Sequence, residues 1–335
     1  MYEVQKLDLD QIHQLQLQLA NSEELPKISM IDLILNEQVM SAFIVDLNKS
    51  QSTIKTYTRC LKSFAQWLAM NGIQQTSEST IKLYMQWLEN QGRQPSTIHL
   101  YIVVVKRWFK WLEAKRIYPD VAKNVENVRV RKDSPKSFFQ AHQVKKILDT
   151  VDQTSEKGKR NYALLVLLFT CGLRTIEASR ARVDNIRLNG SQLVLYIHGK
   201  GHKTDDDYVP LPDKTYAVLC EYLSTRGIKP KDFETCKQPL FTSTSNRSKD
   251  QPISTNAISK ICKSCFRKAG YDQHDWTAHS TRHTAATLAL TNGADLRETQ
   301  MLLRHSSPTT TEIYLHQLGK LENQAGKDVA DAIFD

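Results

Sequence analysis

The chain has 335 residues, of which 40% are hydrophobic and 24% charged, and its formal net charge at pH 7 is +9. This length favours two domains of ordinary size, and this composition is that of a globular protein with real hydrophobic cores. Because the chain has neither a run of about 18 apolar residues nor an N-terminal signal peptide, we expect no membrane span and a cytoplasmic location.

The positive charge is unevenly distributed. Residues 1–50 contain three lysines and eight acidic residues, so the basic excess lies in the rest of the chain. Nucleic acid is the simplest partner for such an excess, because phosphates neutralised by Lys and Arg release their counterions. Residues 1–29 are therefore predicted to be an N-terminal extension rather than a basic arm.

A helical domain is predicted over residues 30–117. Apolar residues recur there at spacings of three and four, and Gly72 and Gly92 stand where helices should stop. The predicted helices are 32–47, 53–71, 77–91 and 95–116. Basic residues lie among them and could form either a solvated face or a face that follows DNA phosphates. Residues 118–137, with two prolines and a basic cluster, are predicted to be a linker that could lie along DNA.

A second domain is predicted over residues 138–318, with a tail helix at 319–335. Two β-rich runs, 192–198 and 206–210, flank a glycine-rich turn and predict a hairpin. Helices are predicted on both sides of it, at 140–152, 158–171, 213–226, 254–269, 281–292, 295–304 and 309–316.

Cys262 and Cys265 form a CxxC pair, which raises the question of a zinc site. No second pair follows at zinc-finger spacing, although Cys236 and His274 or His279 could be recruited from further away. We therefore predict that the chain has no metal site and that the two cysteines are small residues on a helix.

Five polar residues of the second domain form a chemically meaningful set: Arg174, His279, Arg282, His305 and Tyr314. Taken singly, each has a simpler explanation, such as a structural salt bridge, an N-cap region or core packing. Together, two arginines can bind the nonbridging oxygens of a phosphodiester, and histidines can donate hydrogen bonds or move protons. A tyrosine hydroxyl is a competent nucleophile, and a lysine on a mobile hairpin could protonate the leaving oxygen.

The same residues resemble the tyrosine recombinase (phage integrase) family, in a Xer-like or mobile-element form. The matching pieces run in the family's order over about residues 135–317. They are Gly172-Leu173-Arg174 with Glu177, the GKGHK run at 199–203, HSTRH at 279–283, LRHS at 303–306, and Tyr314.

The resemblance implies a role for each matching residue. Tyr314 would attack the scissile phosphate and form a 3′-phosphotyrosine, while Arg174 and Arg282 would bind that phosphate. His279 would assist proton transfer, and His305 would donate a hydrogen bond to the phosphate. Lys200 is preferred over Lys203 as the general acid, although both lie in the same turn. Glu177 would orient the site through Arg174.

The fold implied by the resemblance is mainly α-helical with a small β-sheet. A helical, SAM-like core-binding domain and an α/β catalytic domain would close on double-stranded DNA as a C-shaped clamp, with no cofactor. We expect a dimer on each site and a tetramer in the synapse, with accessory DNA-bound proteins or extra copies as further partners. The basic residues predicted to contact DNA are Lys106, Arg107, Lys110, Arg129, Arg131, Lys203, Lys260, Lys263 and Arg267.

Two other functions remain open at this point. A type IB topoisomerase shares the same chemistry but relaxes DNA as a monomer without paired sites. A DNA-binding protein that has lost catalysis is a second alternative, but it should have a broken site, whereas every residue type that the chemistry requires is present. The target sequence and the direction of the reaction, whether integration, excision or resolution, do not follow from the sequence.

Overall fold

The structure, a computed structural model, forms two compact units, Met1–Lys132 and Asp133–Asp335. The residues that it describes are 29–130, 137–197, 207–246, 248–305 and 325–334. These residues are mostly helical, with one three-stranded sheet, which confirms the predicted fold class. None of the helices in these ranges is long and apolar enough to cross a membrane.

The first unit contains five helices within the described residues. They are α1 (Met30–Leu35), α2 (Glu37–Leu47), α3 (Gln51–Met70), α4 (Glu78–Asn90) and α5 (Pro95–Ala114). The prediction of one continuous helix over 32–47 is wrong. Asn36 has an extended backbone, and its side-chain oxygen accepts hydrogen bonds from the N–H groups of Gln38 and Val39, so it ends α1 and caps α2.

The core of the first unit is built on aromatic side chains. Trp108 of α5 is fully buried and makes an edge-to-face contact with Phe43 of α2, with 4.9 Å between ring centroids. In the same core, the rings of Phe64 and Tyr84 lie 4.9 Å apart. Pairs of this kind add about 0.5–1.5 kcal/mol to the free energy of burial.

The second unit places helices around a small antiparallel sheet. Its helices are α6 (Ala141–Asp149), α7 (Glu156–Cys171), α8 (Thr175–Arg180), α9 (Asp213–Ser224), α10 (Thr255–Lys268), α11 (Ala278–Thr291), α12 (Leu296–Leu303) and, near the C-terminus, α13 (Ala325–Phe334). The strands are β1 (Ile186–Asn189), β2 (Gln192–Ile197) and β3 (Asp207–Pro210), in the order β1-β2-β3.

The two predicted strands pair antiparallel, with Leu195 of β2 opposite Val209 of β3, and the turn predicted between them lies outside the described residues. Strand β1 and helix α8 were not predicted, nor were the 3-10 helices Val183–Asn185 and Pro230–Thr235. Strand β1 pairs with the other edge of β2, Ile186 opposite Leu195, and its alternation spans only four residues. Helix α8 has only six residues, too few for a helical period to be visible.

Helix α7 is the central element of the second unit. Leu164, Leu165, Leu167 and Leu168 have no solvent exposure, so the helix is buried around its circumference, and it packs against α9 and α11. It ends at Gly172, which adopts a left-handed conformation with φ of 57°. That turn places Leu173 in the core and starts α8 at Arg174.

Candidate active site

Arg282 links the ends of two helices. It lies on α11, and its side chain is 1% exposed. One guanidinium nitrogen donates a 2.6 Å hydrogen bond to the carbonyl of Gly172 at the end of α7, and the other donates to the carbonyl of Leu303, the last residue of α12. Helix C-termini carry partial negative charge, so they offset part of the cost of burying a cation.

Arg174 and Glu177 form the start of α8. The Arg174 backbone N–H donates to Glu177 Oε2 at 2.8 Å, and its Nη1 donates to Glu177 Oε1 at 2.7 Å. The Glu177 side chain is 1% exposed, whereas that of Arg174 is 34% exposed. The predicted role of Glu177 in orienting Arg174 therefore has a direct geometric basis.

Glu177 has a second cation, Arg304, whose Nη2 lies 2.7 Å from Oε2. Burial raises the pKa of Glu177, but Arg304 and the hydrogen bonds and charge of Arg174 outweigh it and hold the pKa below its usual value. Glu177 is therefore an ionised carboxylate shared by two arginines. Sequence reasoning did not single out Arg304, and its position directly before His305 was the one available signal.

His279 and Arg174 line the same cleft, whose volume is about 510 Å³. His279 is exposed on the first turn of α11, where the Thr277 hydroxyl caps its backbone N–H at 3.2 Å. Lys263 of α10, predicted to contact DNA, lines this cleft as well. The other lining residues are Leu173, Thr175, Ile176, Ser259, Trp276, Thr277 and Ala278. A cleft bordered by Arg174, Lys263 and an exposed imidazole suits a phosphate group.

His305 follows Arg304, the residue that caps the end of α12, and is half-buried. Its backbone is fixed by Gln300, whose carbonyl accepts from the His305 N–H at 3.2 Å and whose side-chain amide donates to the His305 carbonyl at 3.0 Å. His283 is buried one turn after His279, and the two rings are 4.4 Å apart. His283 thus packs against the exposed imidazole.

Four of the predicted site residues lie outside the described residues: Arg131, Lys200, Lys203 and Tyr314. In the described part of the site, Arg282 bonds to the carbonyl of Gly172 at the end of α7, two residues before Arg174. His279 lies on α11, and His305 lies just after α12. The identity of the nucleophile and of the general acid stays a prediction.

The other basic residues predicted to contact DNA lie on both units. Arg107, Lys110, Arg129, Lys260 and Arg267 are exposed. Arg267 also pairs with Asp272 at 2.9 Å.

Lys106 has a structural contact that the sequence did not suggest. Its ammonium donates a 2.7 Å hydrogen bond to the carbonyl of Val125. It lines a groove of about 770 Å³ with Arg107 and Lys110, and Asp46 and Glu113 line the same groove. The charge of this groove is therefore mixed.

Cys262 and Cys265 both lie buried on α10 and pack in the hydrophobic core. Burial raises the pKa of both thiols, which disfavours the thiolate that a metal would need. Within the described ranges, no group of three or more His, Cys, Asp or Glu residues is placed to hold a metal ion.

The ends of α7 and α12 approach closely at Gly172, and a substitution there tests this contact. A Cβ at this position would lie 2.8 Å from Cδ2 of Leu303, and φ is in the left-handed region. Gly172→Ala should therefore destabilise the protein by about 2–4 kcal/mol in urea unfolding, from backbone strain plus overpacking. Gly190→Ala is the control, because its φ is 62° but nothing lies within 4 Å of its Cβ position. Equal losses in the two variants would contradict the close approach.

The chain thus combines a helical first unit with a second unit in which helices surround a small sheet and carry Arg174 and Arg282. Residues 137–320 match the phage integrase family, and residues 40–116 match the phage integrase N-terminal SAM-like domain. The chain belongs to the phage integrase family, and its resemblance to tyrosine recombinases is confirmed. It is thus a site-specific DNA recombinase whose chemistry proceeds through a phosphotyrosine.

Individual relatives carry Xer names. The chain is 28% identical over 285 residues to tyrosine recombinase XerD of Staphylococcus epidermidis, covering 84% of this chain and 92% of the relative. It is 26% identical over 275 residues to XerC of Bacillus pumilus, covering 81% and 88%.

Solved structures share the fold. The XerH recombinase bound to a palindromic difH substrate, a post-cleavage complex, has a TM-score of 0.68 at 20% identity, covering 100% of this chain and 92% of that one. The lambda integrase dimer bound to a COC′ core site has a TM-score of 0.61 at 18% identity, covering 84% and 95%.

Proposed function

We propose that this recombinase uses Tyr314 to cut and rejoin strands at short core sites on two DNA duplexes. The observation that carries the proposal is the arrangement around Arg282, which connects the turn before Arg174 to the turn before His305 through two backbone carbonyls. Groups from three separate segments, α7–α8, α11 and α12, are thereby held together. Such preorganised donors stabilise charge that develops on a phosphate.

The chemical step follows from the side chains. The hydroxyl oxygen of Tyr314 attacks phosphorus, the bond from phosphorus to the 5′-oxygen breaks, and a 3′-phosphotyrosine forms. Lys200 gives a proton to the departing 5′-oxygen, with Lys203 as its competitor in the same turn. His279 accepts the tyrosine proton or relays it. In the reverse step, a 5′-hydroxyl from the partner strand attacks the phosphotyrosine and releases Tyr314.

No external energy source is required for this exchange. One phosphodiester is replaced by another ester of similar energy, so the covalent intermediate stores what rejoining needs. The positive charges that stabilise the transition state are side chains, chiefly Arg174 and Arg282. We therefore propose a reaction independent of ATP and of metal ions.

Double-stranded DNA is the proposed partner of both units. Arg107, Lys110 and Arg129 of the first unit and Lys260 and Arg267 of the second are exposed cations on or beside helices. Phosphate contacts by such residues would fix the register of the protein on the duplex. The solved XerH and lambda integrase neighbours are themselves complexes with DNA, which supports this proposal.

Covalent trapping tests the proposed function. Purified protein would be mixed with nicked duplexes drawn from the DNA that flanks its gene, in the presence of EDTA, and analysed on denaturing gels. We expect a protein–DNA adduct at one site, carried on the 3′ side of the break. Tight binding to a site without any adduct would contradict catalysis, and relaxation of plasmids lacking paired sites would favour a topoisomerase.

We propose that four protomers assemble on two duplexes and that the C-terminal helix takes part in assembly. On α13, Val329, Ile333 and Phe334 are 58%, 67% and 85% exposed. The spacing of Val329 and Ile333 puts them on one helical face, and such an apolar face is commonly covered by a partner.

Deleting residues 319–335 should leave the affinity for a single half-site within about twofold and abolish cooperative binding to a full site. Gel-shift titrations on half-sites and full sites would measure both. The double substitution Val329→Ser and Ile333→Ser is the milder variant, with Asp331→Ser as its control on the same helix. Unchanged cooperativity after the deletion would contradict the role of this helix.

A further inference from the structure

Arg304 occupies a position that suits glycine better than arginine. It ends α12 with φ of 52° and ψ of 51°, in the left-handed region that side chains with a Cβ adopt at a steric cost. The residue nevertheless has a large side chain, which is 4% exposed. A strained backbone under a buried charge calls for a reason beyond the ending of a helix.

The buried guanidinium of Arg304 faces the carboxylate that orients Arg174. Its Nη2 lies 2.7 Å from Oε2 of Glu177, and its Nη1 donates a 2.7 Å hydrogen bond to the carbonyl of Leu302. The contact also runs in the other direction, since the Arg304 carbonyl accepts from Nη2 of Arg174 at 3.5 Å. Arg304 therefore touches both members of the pair through two different groups.

Buried ion pairs rarely increase stability, because the cost of desolvating both charges is large. What the second cation changes is the charge balance at Arg174. With Arg174 as its only partner, Glu177 would neutralise the very guanidinium that borders the cleft. With Arg304 present, two cations share one anion, and a net positive charge is left at the cleft for a phosphate.

We propose that Arg304 is a positioning residue that acts through Glu177 and its own carbonyl to hold Arg174 in place, and cationic, for the scissile phosphate. This inference rests on the proposed function, in which Arg174 binds that phosphate. Arg304 itself is not among the residues that line the cleft of Arg174 and His279. Because it directly precedes His305, the same residue also sets where the chain leaves α12.

Arg304→Met is the first test. We expect the rate of adduct formation on nicked duplexes to fall on the order of 10- to 100-fold, because the Arg174 guanidinium would be misplaced. The DNA affinity should change by less than about twofold. Arg304→Lys should recover part of the rate, since it restores charge without the two-pronged geometry. Arg297→Met, an exposed arginine on the same helix, is the matched control and should keep the wild-type rate.

A double-mutant cycle separates positioning from a general structural role. If Arg304 acts through Glu177, adding Arg304→Met to Glu177→Gln should slow the reaction by less than about threefold further, whereas independent effects would multiply. Arg304→Gly suits the left-handed backbone, so it folds without strain and should still lose the rate. A wild-type rate in Arg304→Gly, or fully multiplicative effects in the cycle, would overturn the inference.

The pH profile gives a readout that packing alone would not move. The charged groups that act on Glu177 are Arg304 and Arg174. Lys263 on α10 lines the cleft that Arg174 borders, and the Cys171 thiol, whose pKa burial raises to about 11, lies within reach of the Arg304 charge. Loss of Arg304 removes a cation that lowers the pKa of Glu177. The acid limb of the cleavage rate should therefore move to higher pH in Arg304→Met.

The Glu177→Gln background should show no such shift. An acid limb unchanged by Arg304→Met would count against the inference. Wild-type protein is run beside every variant: absence of a wild-type adduct would defeat the proposed function itself, whereas a wild-type adduct with unaffected Arg304 variants would defeat only this inference.

Discussion

Replacing Tyr314 with Phe is expected to abolish the covalent protein–DNA adduct while leaving DNA binding intact. The substitution removes the hydroxyl oxygen that is proposed to form the ester with DNA. Loss of a nucleophile from an enzyme that works by covalent catalysis lowers the rate by roughly 10⁴- to 10⁶-fold. The expectation follows from the spacing of His305 and Tyr314 within the family's set of motifs.

The measurement compares wild-type protein, Tyr314→Phe and a control on the same nicked duplexes. Denaturing gels report the adduct, and gel-shift titrations report affinity, which should agree within about twofold for all three proteins. Tyr162→Phe is the control, since Tyr162 lies half-buried on α7 away from the motifs. An adduct that persists in Tyr314→Phe would show that another residue is the nucleophile.

Periodicity predicted most of the fold because most helices here are amphipathic. Helix α3 has Leu61, Phe64 and Leu68 buried at spacings of three and four, and the sequence carries that pattern openly. The break at Asn36 was missed because its apolar neighbours continue the helical spacing across it. Strand β1 was missed because four residues are too few to separate alternation from chance.

The site was predicted by residue type and order, but its architecture was not. The sequence identified Arg174, Arg282 and Glu177, because a set of motifs in a fixed order is far more specific than any one of them. It could not reveal that Arg282 bonds to the carbonyls of Gly172 and Leu303, since backbone acceptors leave no mark in residue identity.

Arg304 is the clearest case of what a sequence conceals. A charged residue after an amphipathic helix normally lies in solvent, and the place of Arg304 directly before His305 was the one sign of another role. Its burial follows from a left-handed backbone that turns the side chain toward Glu177. That conformation depends on the packing of α12 against α11, which is a tertiary effect.

Replacing Arg282 with Met is expected to reduce both catalysis and stability. The side chain would lose its charge and its two-pronged geometry, so adduct formation should fall about 10²- to 10³-fold, the effect of deleting one preorganised donor. The carbonyls of Gly172 and Leu303 would also lose their partner, at about 1–3 kcal/mol for each group left unsatisfied. Methionine carries no charge, so the cost of desolvating a buried guanidinium disappears and offsets part of this loss. We therefore expect the free energy of unfolding in urea to fall by about 1–3 kcal/mol.

Arg174→Met provides the matched comparison. Both arginines are assigned to the same phosphate, but Arg282 also bonds to the ends of two helices, whereas Arg174 bonds to Glu177. Arg174 is 34% exposed and bonds chiefly to Glu177, which keeps Arg304 as a partner. Its loss should slow adduct formation as much as the loss of Arg282, yet cost less than about 1 kcal/mol of stability. Equal destabilisation by the two substitutions would mean that Arg282 does not join the ends of α7 and α12, and that the site is assembled by packing alone.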